Sequence, residues 1–277
     1  MKPFSSSDAA EPLRPGPIVV ALHCSGGQGR QWRPLADALD GRATVLAPGL
    51  IGTADVGPWC GQGPFGLQDE AAAILSLIDG CPDPVHLVGH SYGGAVALQA
   101  ALQRPGRVAS LALYEPTTFT LLEGMGLQGR SALSEVRAVA RAAEEGLLSG
   151  AYAQAAERFV DYWNGLGSWA GLRPQVQADL QRYLPKACLD FRALFNNPLR
   201  LEAYHLLSMP ILLLQGQHAP APTALIAQRL HAANKHARRV IVQRAGHMGP
   251  LTHAAEVAAG LAAHIEDAAL DALNRAA

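Results

Sequence analysis

The sequence lacks the features that mark exported, membrane-embedded or disulfide-bonded proteins. Its four cysteines, Cys24, Cys60, Cys81 and Cys188, are scattered and form no CxxC pair. That pattern favours reduced thiols in a cytoplasm over a disulfide framework. The amino-terminal residues hold no apolar core of the kind found in a signal peptide, and no apolar run approaches the length of a bilayer span. We therefore expect a cytoplasmic protein without a membrane partner.

The sequence also lacks an excess of charge of either sign. Its 22 Lys and Arg residues are balanced by 23 Asp and Glu residues, for a formal net charge of −1. So small a net charge is not typical of proteins that bind nucleic acid or anionic membranes. Metal ligands at catalytic spacing are missing, and no glycine-rich dinucleotide fingerprint follows the first predicted strand. We therefore expect neither a metal nor an organic cofactor, and no nucleic-acid partner.

The sequence does contain enough apolar residues for a large core, with 49% hydrophobic residues in 277. That length fits one large domain, or one domain with an insertion. Short apolar strands alternate with amphipathic helices up to about residue 116 and again from about residue 206. Continuous apolar strands in such an alternation predict a mainly parallel sheet with helices on both faces. The predicted fold class is therefore α/β.

The alternation is interrupted from residue 117 to residue 205, where helical patterns occur without strands. We expect this segment, 117–205, to form an inserted all-helical cap on a core made of residues 18–116 and 206–277. Residues 1–17 are rich in serine and proline and are predicted to form a loosely ordered arm. The cap holds most of the aromatic residues, and we expect a minority of them to line an apolar pocket.

One short motif, Gly89-His90-Ser91-Tyr92-Gly93, lies between a predicted strand and a predicted helix. That setting distinguishes a G-x-S-x-G nucleophile from a chance match. The sharp turn would strain the serine backbone and expose its Oγ at the carboxyl end of the sheet, beside a helix N-terminus that favours an oxyanion. We predict that Ser91 is a nucleophile, and the alternative is a structural serine.

A serine nucleophile needs a base within hydrogen-bond reach, and the chain has ten histidines. His247 follows the predicted strand "VIVQRAG" directly, in a loop at the carboxyl edge of the sheet, where it can face Ser91. We predict that His247 is the base, with a packed loop histidine as the alternative. His90 is expected to pack or hydrogen-bond beside the turn, and His264 is expected at the surface.

With these motifs the chain resembles the α/β-hydrolase superfamily over nearly its whole length, from Ile18 to about Ile265. "GHSYGG" and "GHMGP" are the strongest marks, and "LHCSGGQGRQWRPLADAL" resembles the His-Gly loop of the family, with Cys24 where glycine is usual. The resemblance implies an α/β-hydrolase fold, the chain order serine, acid, histidine, and an oxyanion hole formed by two backbone N–H groups. Those groups map to Ser25 and Tyr92, and a simple turn residue is the alternative for Ser25.

The acid departs from the usual family pattern. Its common place, a Gly-x-x-Asp motif after the strand before the last, here reads "LLLQGQHAPAPT" and holds no carboxylate. Some family members carry the acid one strand earlier, where this chain reads "LALYEPTTF". We predict that Glu115 is the acid, because it ends that strand at the correct edge of the sheet. The alternatives are a glutamate that only caps the start of the insertion, a cap carboxylate such as Asp190 or Glu202, and a dyad without an acid.

Together these residues predict a cofactor-free serine hydrolase that cleaves a carboxylic ester or related acyl compound through an acyl-enzyme. A serine nucleophile disfavours the epoxide hydrolases and haloalkane dehalogenases of the superfamily, which attack with aspartate. The aromatic cap favours a small hydrophobic acyl substrate. A lyase or a cofactor-free perhydrolase on the same scaffold and a ligand-binding receptor with little turnover are the alternative functions. The oligomeric state is left open.

Overall fold

A computed structural model describes residues 16–276, with the side chains of residues 275 and 276 outside that description. Almost all of the predicted amino-terminal arm, residues 1–17, therefore lies outside the described residues. The sheet is built from six strands, which are β1 (Ile18–Leu22), β2 (Thr44–Leu46), β3 (Val85–His90), β4 (Val108–Tyr114), β5 (Ile211–Gly216) and β6 (Ala237–Val242). They lie in the order β2-β1-β3-β4-β5-β6, and each neighbouring pair is parallel. The mainly parallel sheet predicted from the apolar strands is thus confirmed.

Ten α-helices are found in the described part of the chain. They are α1 (Arg33–Leu39), α2 (Leu67–Asp79), α3 (Tyr92–Gln103), α4 (Gly126–Ser149), α5 (Tyr152–Asn164), α6 (Pro174–Phe195), α7 (Leu201–Tyr204), α8 (Ala221–Ala233), α9 (Gly249–Thr252) and α10 (Ala254–Ala276). Helices α4 to α7 follow one another between β4 and β5, as expected for a helical insertion. The proposed limits of the cap, residues 117–205, stay a prediction.

The core has one layer on each face of the sheet, because successive strand side chains point to opposite sides. From β1, Val20 and Leu22 pack on the face covered by α2, α3 and α8. Val19 and Ala21 point the other way and pack against α1 and α10. Burying one valine or leucine side chain stabilises a fold by about 1.5–3 kcal/mol. A shift of one residue in β1 would move each of these side chains to the opposite face, and the packing of both layers would be lost.

Strand β6 ends earlier than the sequence predicted. It stops at Val242, which pairs with Gly216 at the end of β5, whereas the predicted strand ran to Gly246. The extra residues leave the sheet because β5 offers no further partner, and Arg244 turns the chain with a φ of +58°. His247 therefore follows a turn and not a strand, although it still lies at the carboxyl edge of the sheet.

Two histidines, His86 on β3 and His264 on α10, are buried in this fold. The expectation that His264 is at the surface is wrong, because it lies next to Leu261 and Ile265 on the buried face of α10. Burial, together with repulsion from the His264 ring once that ring is protonated, lowers the pKa of His86 from its ordinary value of 6.5 to about 4. Burial and the nearby Arg238 lower the pKa of His264 to about 4 as well.

We expect the stability of the protein to fall as the pH drops from about 6.5 to about 4. In this window the unfolded chain, with histidine pKa values near 6.5, binds protons that the folded chain does not, so protonation favours unfolding. Each histidine would cost up to about 3 kcal/mol by pH 4, at about 1.4 kcal/mol per pKa unit. Chemical unfolding at several pH values measures the slope. His264→Gln should flatten it, and the exposed His205→Gln should not; equal slopes in all three proteins would contradict this expectation.

Candidate active site

Ser91 lies at a sharp turn between β3 and α3. Its backbone has φ +55° and ψ −118°, a conformation that non-glycine residues rarely adopt. The turn is possible because the residues two positions before and after Ser91 are glycines, which have no Cβ and so allow close contact with other backbone atoms. A Cβ on Gly89 would lie 2.6 Å from the carbonyl oxygen of Gly93, and a Cβ on Gly93 would lie 2.4 Å from that of His23. The predicted strand–turn–helix arrangement is therefore present, with Ser91 at its apex.

The structure brings Ser91, His247 and Glu115 into one hydrogen-bonded chain. His247 Nε2 lies 2.9 Å from Ser91 Oγ, and His247 Nδ1 lies 2.7 Å from Glu115 Oε2. All three residues are buried. With Nδ1 donating to the carboxylate, Nε2 is the free acceptor, which is the tautomer that can remove a proton from a serine hydroxyl. The geometry is that of a nucleophile, a base and an orienting acid.

Glu115 follows β4 directly, at the edge where Ser91 follows β3. Its backbone also has a positive φ, +45°, and its side chain is fully buried. The carboxylate accepts hydrogen bonds from the backbone N–H of Gly216 at 2.8 Å and from Thr223 Oγ1 at 2.8 Å, besides that from His247. Three donors fix the orientation of this carboxylate and compensate its burial.

The alternative carboxylates are found elsewhere. Asp190, on α6, accepts hydrogen bonds from Ser25, Tyr183 and Lys186, and Glu202 is exposed on α7. The geometry thus favours Glu115 over both, while its catalytic role stays a prediction.

The loop after β5, where the family acid is commonly found, supports the His247 segment from outside. Gln217 Oε1 accepts a hydrogen bond from the backbone N–H of Arg244 at 2.8 Å. The N–H of His218 donates to the carbonyl oxygen of Ala245 at 2.8 Å. These contacts hold the turn that leads to His247.

Two residues beside Ser91 and Glu115 anchor the histidine loop from within. His90, which precedes Ser91, donates from Nε2 to the carbonyl oxygen of His247 at 2.9 Å. Tyr114, which precedes Glu115, donates to the carbonyl oxygen of Gly246 at 2.7 Å. Sequence reasoning placed His90 beside the turn but missed Tyr114. The available signal was that His90 and Tyr114 each end a strand, one position before a predicted catalytic residue.

A buried hydrogen-bond chain continues from His90 to the His-Gly loop. Its Nδ1 accepts from Gln31 Nε2 at 3.1 Å, and Gln31 Oε1 accepts from Cys24 Sγ at 3.4 Å. Burial and the nearby His247 lower the pKa of His90 well below its ordinary value, so His90 stays neutral. Burial raises the pKa of the Cys24 thiol to about 12. Cys24 is therefore a protonated thiol and a poor nucleophile near neutral pH.

Ser25 and Tyr92, the residues mapped to the oxyanion hole, both line one cavity with Ser91. Tyr92 is the first residue of α3, and the N–H of a first helical residue has no acceptor within its own helix. Within residues 16–276, the backbone N–H of Ser25 donates to no protein acceptor. Two N–H groups are thus available beside Ser91, as the predicted oxyanion hole requires.

The cavity above Ser91 has a volume of about 450 Å³, within the usual range for small-molecule sites. Apolar side chains from α5 and α6 form much of its wall, and they include Phe159, Trp163, Leu180 and Phe191. The ring of Trp163 lies 4.5 Å, centroid to centroid, from the imidazole of His247. Helices of the insertion therefore cover Ser91 and contact His247.

Two further properties concern the described residues alone. Among residues 16–276, no group of three or more His, Cys, Asp or Glu side chains is arranged to hold a metal ion. No helix in this range combines the length and the apolar character needed to span a bilayer.

A parallel sheet covered on both faces, with a strained serine between a strand and a helix, is the arrangement of the α/β-hydrolase fold. The chain belongs to the alpha/beta hydrolase family, whose family model matches residues 19–260. The resemblance drawn from the sequence motifs is thereby confirmed.

Curated relatives match about half of the chain. Lipase LipV of Mycobacterium tuberculosis is 34% identical over 168 residues, which cover 60% of this chain and 57% of the lipase. A pimeloyl-[acyl-carrier protein] methyl ester esterase of Aeromonas hydrophila is 31% identical over 157 residues, which cover 56% of each protein. The matched segments thus span less than two thirds of either relative.

Among solved structures, the fold is similar to that of the enol-lactonase from Burkholderia xenovorans. The TM-score is 0.68, with 18% identity, over 91% of this chain and 92% of the lactonase. At that identity the likeness concerns the fold alone.

Proposed function

We propose that the protein is a serine hydrolase that cleaves a carboxylic ester, or a closely related acyl compound, through an acyl-enzyme intermediate. The observation that carries the proposal is the continuous chain from Ser91 Oγ through both ring nitrogens of His247 to Glu115. This chain lies at the wall of a mainly apolar cavity, beside two backbone N–H groups.

In the proposed reaction, Ser91 Oγ attacks the ester carbonyl carbon while His247 Nε2 takes the hydroxyl proton. The imidazolium that forms is stabilised by Glu115. The N–H groups of Ser25 and Tyr92 bind the negative oxygen of the tetrahedral intermediate, at about 3 kcal/mol per donor. His247 then gives its proton to the leaving alcohol, and the acyl group stays on Ser91. A water molecule then gives a proton to His247 and attacks the acyl carbon. The bond from that carbon to Ser91 Oγ breaks, His247 returns the proton to Ser91, and the carboxylic acid is released.

The cavity supports a small hydrophobic acyl substrate, because the side chains facing Ser91 from α5 and α6 are mainly apolar. The names of the lipase and the methyl ester esterase among the relatives point to ester substrates as well. We propose that residues 117–205 act as a cap that shields the acyl-enzyme from bulk water. Scattered free thiols support a cytoplasmic location.

The proposal predicts turnover of p-nitrophenyl esters and stoichiometric labelling by a fluorophosphonate. The ester series should run from acetyl to longer acyl chains, with p-nitrophenol release followed by absorbance. We expect kcat/KM to pass through a maximum where the acyl chain fills the cavity. The same probe should abolish turnover when one equivalent is bound. A protein that is neither labelled nor active on esters, thioesters or lactones would contradict the proposal and favour a receptor.

A further inference from the structure

A second buried charged cluster lies beside the site, and the proposed reaction does not use it. Its centre is Asp190 on α6, of which 2% is exposed. The Asp190 carboxylate accepts hydrogen bonds from Ser25 Oγ at 2.7 Å and from the Tyr183 hydroxyl at 2.6 Å. It also forms an ion pair with Lys186, one turn earlier on the same helix. A carboxylate this deeply buried would be costly without such partners.

The cluster also reaches the core. Lys186 Nζ lies 3.0 Å from Glu70 Oε1 on α2, and Glu70 Oε2 accepts a hydrogen bond from the backbone N–H of Ile51 at 3.1 Å. Burial alone would lower the pKa of Lys186, but the carboxylates of Asp190 and Glu70 outweigh it and raise that pKa. Lys186 therefore stays charged. One cation thus joins the insertion helix α6 to the core helix α2.

This ion pair contacts the side chains of both residues proposed to form the oxyanion hole. Asp190 binds the hydroxyl of Ser25, and Lys186 Nζ lies 4.7 Å from the ring centroid of Tyr92. Ser25 lies in a turn next to Gly26, whose φ is +68°. The turn is closed by a hydrogen bond from the Gly27 N–H to the Cys24 carbonyl oxygen at 2.9 Å. The buried bond from Ser25 Oγ to Asp190 adds a side-chain restraint at the residue whose N–H is proposed to bind the oxyanion.

We propose that Asp190 is a positioning residue, which holds Ser25 so that its backbone N–H points at the developing oxyanion. The inference rests on the proposed function, since it assigns Asp190 to the same site. A backbone donor acts fully only when it points at the place where charge develops in the transition state. Loss of the Asp190 contact should therefore lower kcat, while ground-state binding in the apolar cavity is retained.

The test is a double-mutant cycle on the hydrogen bond between Ser25 and Asp190. Ser25→Ala removes the hydroxyl and keeps the N–H, and Asp190→Asn keeps the size and removes the charge. We expect each variant to lower kcat about 10-fold, with KM within about twofold of wild type. The kcat of the double variant should be about the same as that of each single variant, because both substitutions remove the same interaction. The rate of inactivation by a fluorophosphonate, which forms a tetrahedral adduct, should fall in parallel.

The matched control is Arg192→Gln, also on α6. It breaks an exposed ion pair with Glu144, whose atoms lie 3.0 Å apart, and it should leave kcat and KM unchanged. Thermal unfolding of all variants separates a loss of folding from a loss of catalysis.

Three results would overturn the inference. They are single variants with a wild-type kcat, losses that multiply to about 100-fold in the double variant, and a loss expressed in KM alone. Failure of the proposed function is distinguishable, because the wild-type protein would then show neither turnover nor labelling at Ser91. If wild type is active and labelled while both single variants match it, only the positioning role of Asp190 is wrong.

Discussion

Ser91→Ala should lose nearly all esterase turnover, by about 10⁴-fold or more, while the fold is retained. Oγ is the only heavy atom removed, and the turn conformation is set by the close backbone contacts of Gly89 and Gly93. Activity that survives would come from the oxyanion hole and substrate binding alone. The measurement is kcat on a p-nitrophenyl ester, with circular dichroism as the test of folding.

Labelling gives an independent check on the same residue. Peptide mapping of the wild-type protein after fluorophosphonate treatment should place the adduct on Ser91, and the alanine variant should take up no label. An adduct on another serine would show that the assignment of the nucleophile is wrong. Cys24 also lines the cavity, but its protonated thiol makes it a poor competitor for the probe.

Glu115→Gln should lower kcat about 100-fold or more and leave the fold and substrate affinity in place. The carboxylate accepts three hydrogen bonds, from Gly216, Thr223 and His247. A glutamine can accept only through its oxygen, so its amide group would face at least one of these donors. A neutral amide also cannot balance the imidazolium that forms on His247.

The controls for this variant lie in the loop where the family acid is common. Gln217→Ala and His218→Ala should each cost far less activity than Glu115→Gln, because the one hydrogen bond of the Gln217 side chain within residues 16–276 comes from the backbone N–H of Arg244. The kcat values of the three variants, measured on one ester, decide whether the acid lies after β4, at Glu115, or in the loop after β5. A larger loss at Gln217 or His218 than at Glu115 would contradict the assignment of the acid.

Much of the architecture could be predicted because it depends on local pattern. Apolar strands predicted the parallel sheet, and a serine between glycines at a strand–helix joint predicted the sharp turn at Ser91. Glu115 was predicted from the resemblance to the α/β-hydrolase superfamily, some members of which carry the acid one strand earlier, and from the absence of a carboxylate at the common place. Each of these inferences needs only residues that are close in sequence, or the order of the strands.

Other features depend on partners that are distant in sequence. The early end of β6 at Val242 is set by the end of β5, about 25 residues earlier. His264 is buried by packing of α10 against the sheet. Asp190 was weighed only as an alternative acid, because its contact with Ser25 joins positions 165 residues apart. Polar residues of this kind are usually exposed, so composition alone could not have placed them inside.

The position of Glu115 has a consequence for how this chain can change during evolution. Ser25, Ser91 and Glu115 all precede the insertion, within one uninterrupted stretch of chain, and only His247 follows it. Helices between β4 and β5 can therefore lengthen, shorten or be exchanged without altering the spacing of Ser25, Ser91 and Glu115 along the chain. Two requirements remain: β5 must rejoin β4 in register, from Leu111 opposite Ile211 onward, and the helices must keep a carboxylate in the place of Asp190 to hold Ser25. Substrate preference can thus diverge through the insertion while the reacting groups keep their places.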